Sequence, residues 1–153
     1  MKKQYTYNEL LHKAASYCSI SEHCISDVDD KLKAWEVDET DRQKIIQQLT
    51  DDDFINEKRF SKAFVRDKFH FNKWGKIKIS MALREKGLNH DLIASALDVI
   101  DDGEYEEMLA TLLKSKQHTI KYEFEYEKQG KLFQFAQSRG FENSVIERVL
   151  RNI

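Results

Sequence analysis

Apolar residues recur along this chain in runs whose three- and four-residue spacing places them on one face of a helix. The runs open on helix-start signals. Thr6-Tyr7-Asn8-Glu9, Ser19-Ile20-Ser21-Glu22 and Thr40-Asp41-Arg42-Gln43 all have the spacing of a capping box. There a hydroxyl accepts a bond from an unpaired first-turn amide, and the acid or amide three residues on returns one. Asn56, Asn72 and Asn89 each stand before an amphipathic run and are expected to cap it. Three such starts in the first fifty residues predict three helices in that space.

The pattern repeats at about fifty residues. Leu83, Gly87, Leu88, Ile93 and Leu97 have counterparts 53 positions later in Ala136, Gly140, Phe141, Ile146 and Leu150. Val28, Leu32 and Val37 lie 51 before Ile79, Leu83 and Leu88, while Ile45 and Leu49 lie 48 before Ile93 and Leu97. The shared unit is an amphipathic helix, a short turn and a second amphipathic helix. Gly87 and Gly140 fall where a helix C-terminus wants a left-handed residue, whereas Trp35-Glu36-Val37 must end its helix without glycine. Helices expected over Thr6–Tyr17, Asn56–His70 and Glu104–Gln117 complete the three units. The expectation is an all-α chain of three tandem three-helix units, elongated and curved, divided at 1–53, 54–102 and 103–153. A unit of this size buries too little core alone, so its neighbours must pack on it.

One segment breaks the helical period. In His118–Glu127, Ile120, Tyr122, Phe124 and Tyr126 alternate with polar residues, as in a half-buried strand. A lone strand would have no partner, so a helix or a helix linker is expected.

Composition sharpens this picture. Hydrophobic residues make up 41% of the 153 positions, enough for a core, and proline is absent with only five glycines, which argues against a sandwich or barrel. The opening MKKQYTYNELL does not read as a leader, no window approaches a membrane span, and two cysteines cannot staple a chain of this length. A cytoplasmic protein is expected. The net charge of −2 hides an asymmetry. Residues 58–86 hold ten basic side chains against Asp67 and Glu85, a local charge of +8, and the rest carries −10 from 15 basic and 25 acidic residues.

Within that basic stretch Phe60, Phe64, Phe69, Phe71 and Trp74 interleave with the charges. Phe60 and Phe64 are expected in the core; Trp74, beside a turn, is open between packing and stacking. Lys58, Arg59, Lys62, Arg66, Lys73, Lys76, Lys78, Arg84 and Lys86 are the candidate partner- or DNA-binding residues. If about five phosphates were met, binding would weaken with salt at a log–log slope of about −4.5 for duplex or −3.5 for a single strand. Asp51-Asp52-Asp53 suits a turn before a helix better than a calcium loop. Cys18 and Cys24 with His12 and His23 lack the spacing of common zinc modules, so no metal or cofactor is expected. No phosphate-cradling glycine loop, G-x-S-x-G or H-E-x-x-H occurs, and no catalytic residue is nominated.

The stretch from Leu49 to Leu97 resembles the centre of the RecX family. Asp52 and Asp53 precede a helix bearing Arg59-Phe60 and Phe64-Val65; Gly75 with Lys78-Ile79, then Leu83-Arg84-Glu85-Lys86-Gly87-Leu88, and the closing Ile93 and Leu97 follow in order. The resemblance implies tandem three-helix units, no catalytic centre, and a negative regulator that binds in the groove of the RecA–DNA filament. It further implies inhibition of RecA's ATPase, strand exchange and coprotease activities, with a role in DNA repair and recombination. A monomer touching single- or double-stranded DNA through the basic unit is the expected form. The rival expectation is a stand-alone DNA-binding protein of helix-turn-helix character.

Overall fold

The computed structural model describes residues 4–153; Met1–Lys3, the first residues of the MKKQYTYNELL opening, lie outside them. Among the described residues there are nine α-helices and no strand: α1 Tyr7–Ile20, α2 Ile25–Ala34, α3 Glu39–Asp51, α4 Glu57–His70, α5 Lys76–Glu85, α6 His90–Leu97, α7 Asp102–Gln117, α8 Glu125–Ser138 and α9 Asn143–Asn152. They pack in threes, α1 to α3, α4 to α6 and α7 to α9, each helix touching the other two of its set.

The caps explain most of the boundaries and correct three expectations. Thr6 and Glu9 form the reciprocal box that starts α1, and Asn56 and Asn89 accept amides of Arg59 and Leu92 to start α4 and α6. Ser19, however, sits inside α1 and donates to the Ala15 carbonyl, so α2 begins instead after Cys24, which offers no side-chain cap. Asp38, not Thr40, caps α3 by accepting the Asp41 amide at 2.8 Å, a carboxylate there also meeting the positive end of the helix. Gly75, not Asn72, precedes α5. His118–Glu127 is the whole connection from α7 to α8 and the first residues of α8, with no strand, as a helix linker requires.

Chain reversals fall where the repeat placed them. Gly87 and Gly140 take φ of +88° and +92°, and Glu36 occupies the equivalent turn of the first unit at φ +62°. The left-handed turn is therefore a property of the repeat, met without glycine once.

The aligned apolar positions are the core. Val28, Leu32 and Ile45 in the first unit, Ile79 and Leu83 in the second, and Ala136 and Ile146 in the third are all fully buried. This burial, rather than helix propensity, holds helices of 8 to 16 residues together. The cores divide unevenly. The first unit has its own apolar cluster, while the second and third share one continuous cluster. A line of rings, Phe69, Tyr105 and Phe141, crosses from unit two to unit three with centroids 6.0 and 5.0 Å apart.

Candidate polyanion-binding face

Three tandem units create two joints, and these decide which basic side chains remain available. Both joints use one design, in which the start of a unit's second helix abuts the turn that ends the second helix of the next unit. At the joint between units two and three the backbones themselves meet. Gly75 N–H donates to the Arg139 carbonyl at 2.7 Å and Ile77 N–H to that of Gly140 at 2.9 Å. A Cβ on Gly75 would lie 2.4 Å from the Gly140 carbonyl carbon, and one on Gly140 would lie 2.3 Å from Cβ of Lys78. The Tyr105 hydroxyl donates to Glu142 and accepts the Lys76 amide at 2.9 Å. Burial, reinforced by its bond to Glu142, pushes the Tyr105 hydroxyl far above its ordinary pKa, so it stays a neutral donor.

The joint between units one and two is made of side chains. Ser26 Oγ donates to the Lys86 carbonyl at 2.8 Å, and Lys86 Nζ lies 2.9 Å from Asp27. Arg59 bonds Glu22 through Nε and Asp53 through Nη1 at 3.0 Å. The Ile25 amide faces Glu57 at 3.4 Å. Cys24 alone of the first unit's buried residues belongs to the core of the other two units.

Charge at this joint has a readable pH signature. Desolvation pushes the Asp27 carboxyl up, but the bond and charge of Lys86, helped by Cys24, outweigh it and leave the group below its ordinary value. A depressed carboxyl contributes stability that is complete above its unfolded value and lost as pH falls through the folded one. Asp27→Asn is therefore expected to lower the melting temperature at neutral pH, with the deficit fading in acid below the ordinary carboxylate range. Parallel thermal melts across that range check it. Glu57 behaves oppositely, since burial raises its carboxyl and its charge costs stability at neutral pH.

The nine nominated cations thus sort into groups. Arg59 and Lys86 are tied to the first unit, and Lys76 faces Asp102 at the start of α7 at 3.6 Å and lies over the Tyr105 ring. Lys78 lies 4.7 Å from the centroid of Trp74, whose ring is partly buried against the core rather than open. Lys73 turns its ammonium back to the His70 carbonyl at 3.2 Å, and Arg84 stands exposed beside a cleft between α5 and α6. Lys58, Lys62 and Arg66, at four-residue spacing, form a cationic stripe on α4, exposed or half-buried. Phe60 is buried and Phe64 packs beside it, as expected of core rings.

Beyond the end of that stripe lies a feature that the sequence pattern did not single out. An open cleft of about 500 Å³ between α4 and α7 has Phe69, Met108 and Leu112 among its walls, with His70, Lys73, Glu104 and Glu107 also lining it. Exposed Phe71 lies beside these residues in the chain. No periodic signal marks such a cleft, because it exists only where two units meet.

Asp52 and Asp53 form the turn after α3, with Asp53 at φ +62° and accepting from Asn56. His23 stacks on Tyr17 at 3.9 Å. Among the described residues no group of three or more His, Cys, Asp or Glu side chains is placed to share a metal, and no helix is long and apolar enough to cross a membrane.

Fold and surface together define a tandem three-helix-repeat protein with one cationic unit. Its sequence matches the family models for the second three-helix domain of RecX over residues 56–97 and the third over 104–150. A Regulatory protein RecX from Clostridium beijerinckii is 30% identical over 129 residues, 83% of this chain and 60% of that protein. One from Lactobacillus gasseri is 25% identical over the whole chain and 56% of its own length, and one from Clostridioides difficile is 27% identical over 96% and 69%. The crystal structure of RecX from Lactobacillus salivarius superposes with a TM-score of 0.85 at 25% identity, covering 95% of each chain. The chain belongs to the RecX family of regulatory proteins. It spans a little over half the length of several of these relatives.

Proposed function

We propose that this protein is a non-enzymatic negative regulator of the bacterial recombinase RecA, acting in the cytoplasm on the RecA–DNA filament. Units 1–53, 54–102 and 103–153 would lie along the filament groove, the central one facing nucleic acid. The observation that carries this reading is the α4 stripe of Lys58, Lys62 and Arg66, cationic in an otherwise acidic chain. Phosphates are the natural partners of such a stripe. The cleft of Phe69, Met108 and Leu112 lies next to it, so a nucleoprotein offers both kinds of contact at once: phosphates for the cations and an apolar side chain for the cleft. Seating there would block nucleotide turnover, strand exchange and coprotease function together.

The test is DNA-dependent ATP hydrolysis by RecA of the same organism, with the protein titrated in below one molecule per recombinase. Strong substoichiometric inhibition is expected. No inhibition by folded protein, with DNA not limiting, would overturn the reading. Sequence-selective duplex binding without any effect on RecA would favour a stand-alone DNA-binding protein instead. Against that rival, the cations spread over α4, the following turn and α5 rather than along one recognition helix.

A further inference from the structure

Two of the cations in the basic unit already hold anions of unit one. Arg59 takes Glu22 and Asp53, and Lys86 takes Asp27, and all three carboxylates come from the stretch assigned to unit one. Arg59 is not remote from the open stripe. It precedes Lys62 by three residues and Arg66 by seven on the same helix, so the three share a face. A phosphate chain running along α4 therefore reaches a guanidinium whose places are filled by two of the protein's own carboxylates and by the Asp53 carbonyl. Carboxylate and phosphate are read by arginine in the same forked geometry.

The two joints differ in what would be lost on parting. Between units two and three, backbone bonds, an interlocked pair of glycines and a continuous core resist separation. Between units one and two, the joining is done by the charged pairs, the Ser26–Lys86 bond, Cys24 in the core of the other two units and Ile55 in the core of the first. Partly exposed ion pairs of this kind hold weakly and are screened by salt. A ligand presenting several phosphates at once meets little opposition there.

We propose that Glu22, Asp27 and Asp53 act as an internal stand-in for a nucleic-acid backbone, latching unit one over Arg59 and Lys86, and that a bound polyanion displaces them and releases unit one from the body formed by units two and three. This rests on the reading of the α4 stripe as a phosphate-binding face. Release lengthens the cationic surface by two residues and frees unit one to move. The protein is thus held closed until it meets a strand, and its affinity for that strand is lowered by whatever the latch costs to open.

Cys24 makes the opening measurable in the native chain. Its thiol is fully buried at the joint, whereas Cys18 is buried within unit one's own core and reports unfolding of that unit. Labelling of each cysteine by a neutral maleimide, followed by peptide mass spectrometry, is run on the full chain with and without oligo(dT). Oligo(dT) binding is followed in parallel by fluorescence anisotropy. The expected result is a several-fold faster modification of Cys24 when oligo(dT) binds, with Cys18 unchanged. In Glu22→Gln/Asp27→Asn, Cys24 is expected to react fast without oligo(dT), and oligo(dT) to bind more tightly because two of the three competing carboxylates are gone and only Asp53 still holds Arg59. Unchanged Cys18 labelling certifies that this variant is folded. Oligo(dT) binding with no change at Cys24 overturns the latch while leaving the phosphate-binding face intact. Failure of oligo(dT) to bind at roughly 50 mM salt overturns that face, and the latch with it.

Discussion

Gly140→Ala is expected to destabilise the protein by about 3 kcal/mol, the sum of left-handed strain and overpacking at the second joint. Gly140 adopts φ +92°, and its missing Cβ would fall 2.3 Å from Cβ and 2.7 Å from the backbone nitrogen of Lys78. The two contributions can be separated within this same fold. Gly87 occupies the equivalent turn at φ +88°, and a Cβ added there would meet nothing within 4 Å, so Gly87→Ala isolates the strain at about 1 kcal/mol. Gly75 is not left-handed but faces the Gly140 backbone at 2.4 Å, so Gly75→Ala isolates the overpacking. Urea unfolding of the three variants, read as midpoint shifts at unchanged slope, checks the scheme. Equal shifts for Gly87→Ala and Gly140→Ala would mean that the joint yields without resistance, and the rigid two-unit body would be wrong. A loss of about 3 kcal/mol is a large part of the stability of an ordinary domain.

Reversing Lys58, Lys62 and Arg66 together to glutamate is expected to abolish inhibition of RecA while leaving the fold intact. The three side chains make no ion pair among the described residues, and an acidic residue at position 58 would even suit the first turn of α4. Three lost phosphate contacts reduce the salt slope of DNA binding by about 2.7 for duplex or 2.1 for a single strand, with affinity falling by roughly two orders of magnitude before repulsion is added. Lys86→Glu is the useful contrast. It would set a third carboxylate beside Asp27 and Glu57, so its first effect is on the joint and on stability. A triple mutant that still inhibits and keeps its salt slope would remove the α4 stripe from the mechanism.

How far the sequence reaches is visible at particular residues. Thr6, Asn56 and Asn89 cap as expected, because a cap needs only partners three residues away. Ser19 and Thr40 have the right spacing and fail. Ser19 is claimed by the α1 backbone, and Asp38 starts α3 two residues earlier by accepting the Asp41 amide, which leaves Thr40 inside the helix. The alternation in His118–Glu127 came from aromatic residues of a connection and of the first turn of α8, three of which remain exposed. Period alone cannot tell a half-buried strand from an exposed turn entering a helix, because that depends on what lies opposite.

The helices and their repetition are written in the sequence. Helical spacing of apolar residues, the offsets of 51 and 53, and the glycines after α5 and α8 are local properties, and they specified three-helix units with their core faces. Charge content likewise marked the middle of the chain as cationic. Which of those charges stay available was settled by the docking of the units. Arg59 meets Glu22, Lys86 meets Asp27 and Lys76 meets Asp102, separations governed by how the units pack. The same holds for the Gly75–Gly140 approach, the Tyr105 hydroxyl and the α4–α7 cleft. Each is a contact between units, and such contacts leave no period in a sequence because they depend on distance in space, where the hydrophobic pattern records only which face is buried.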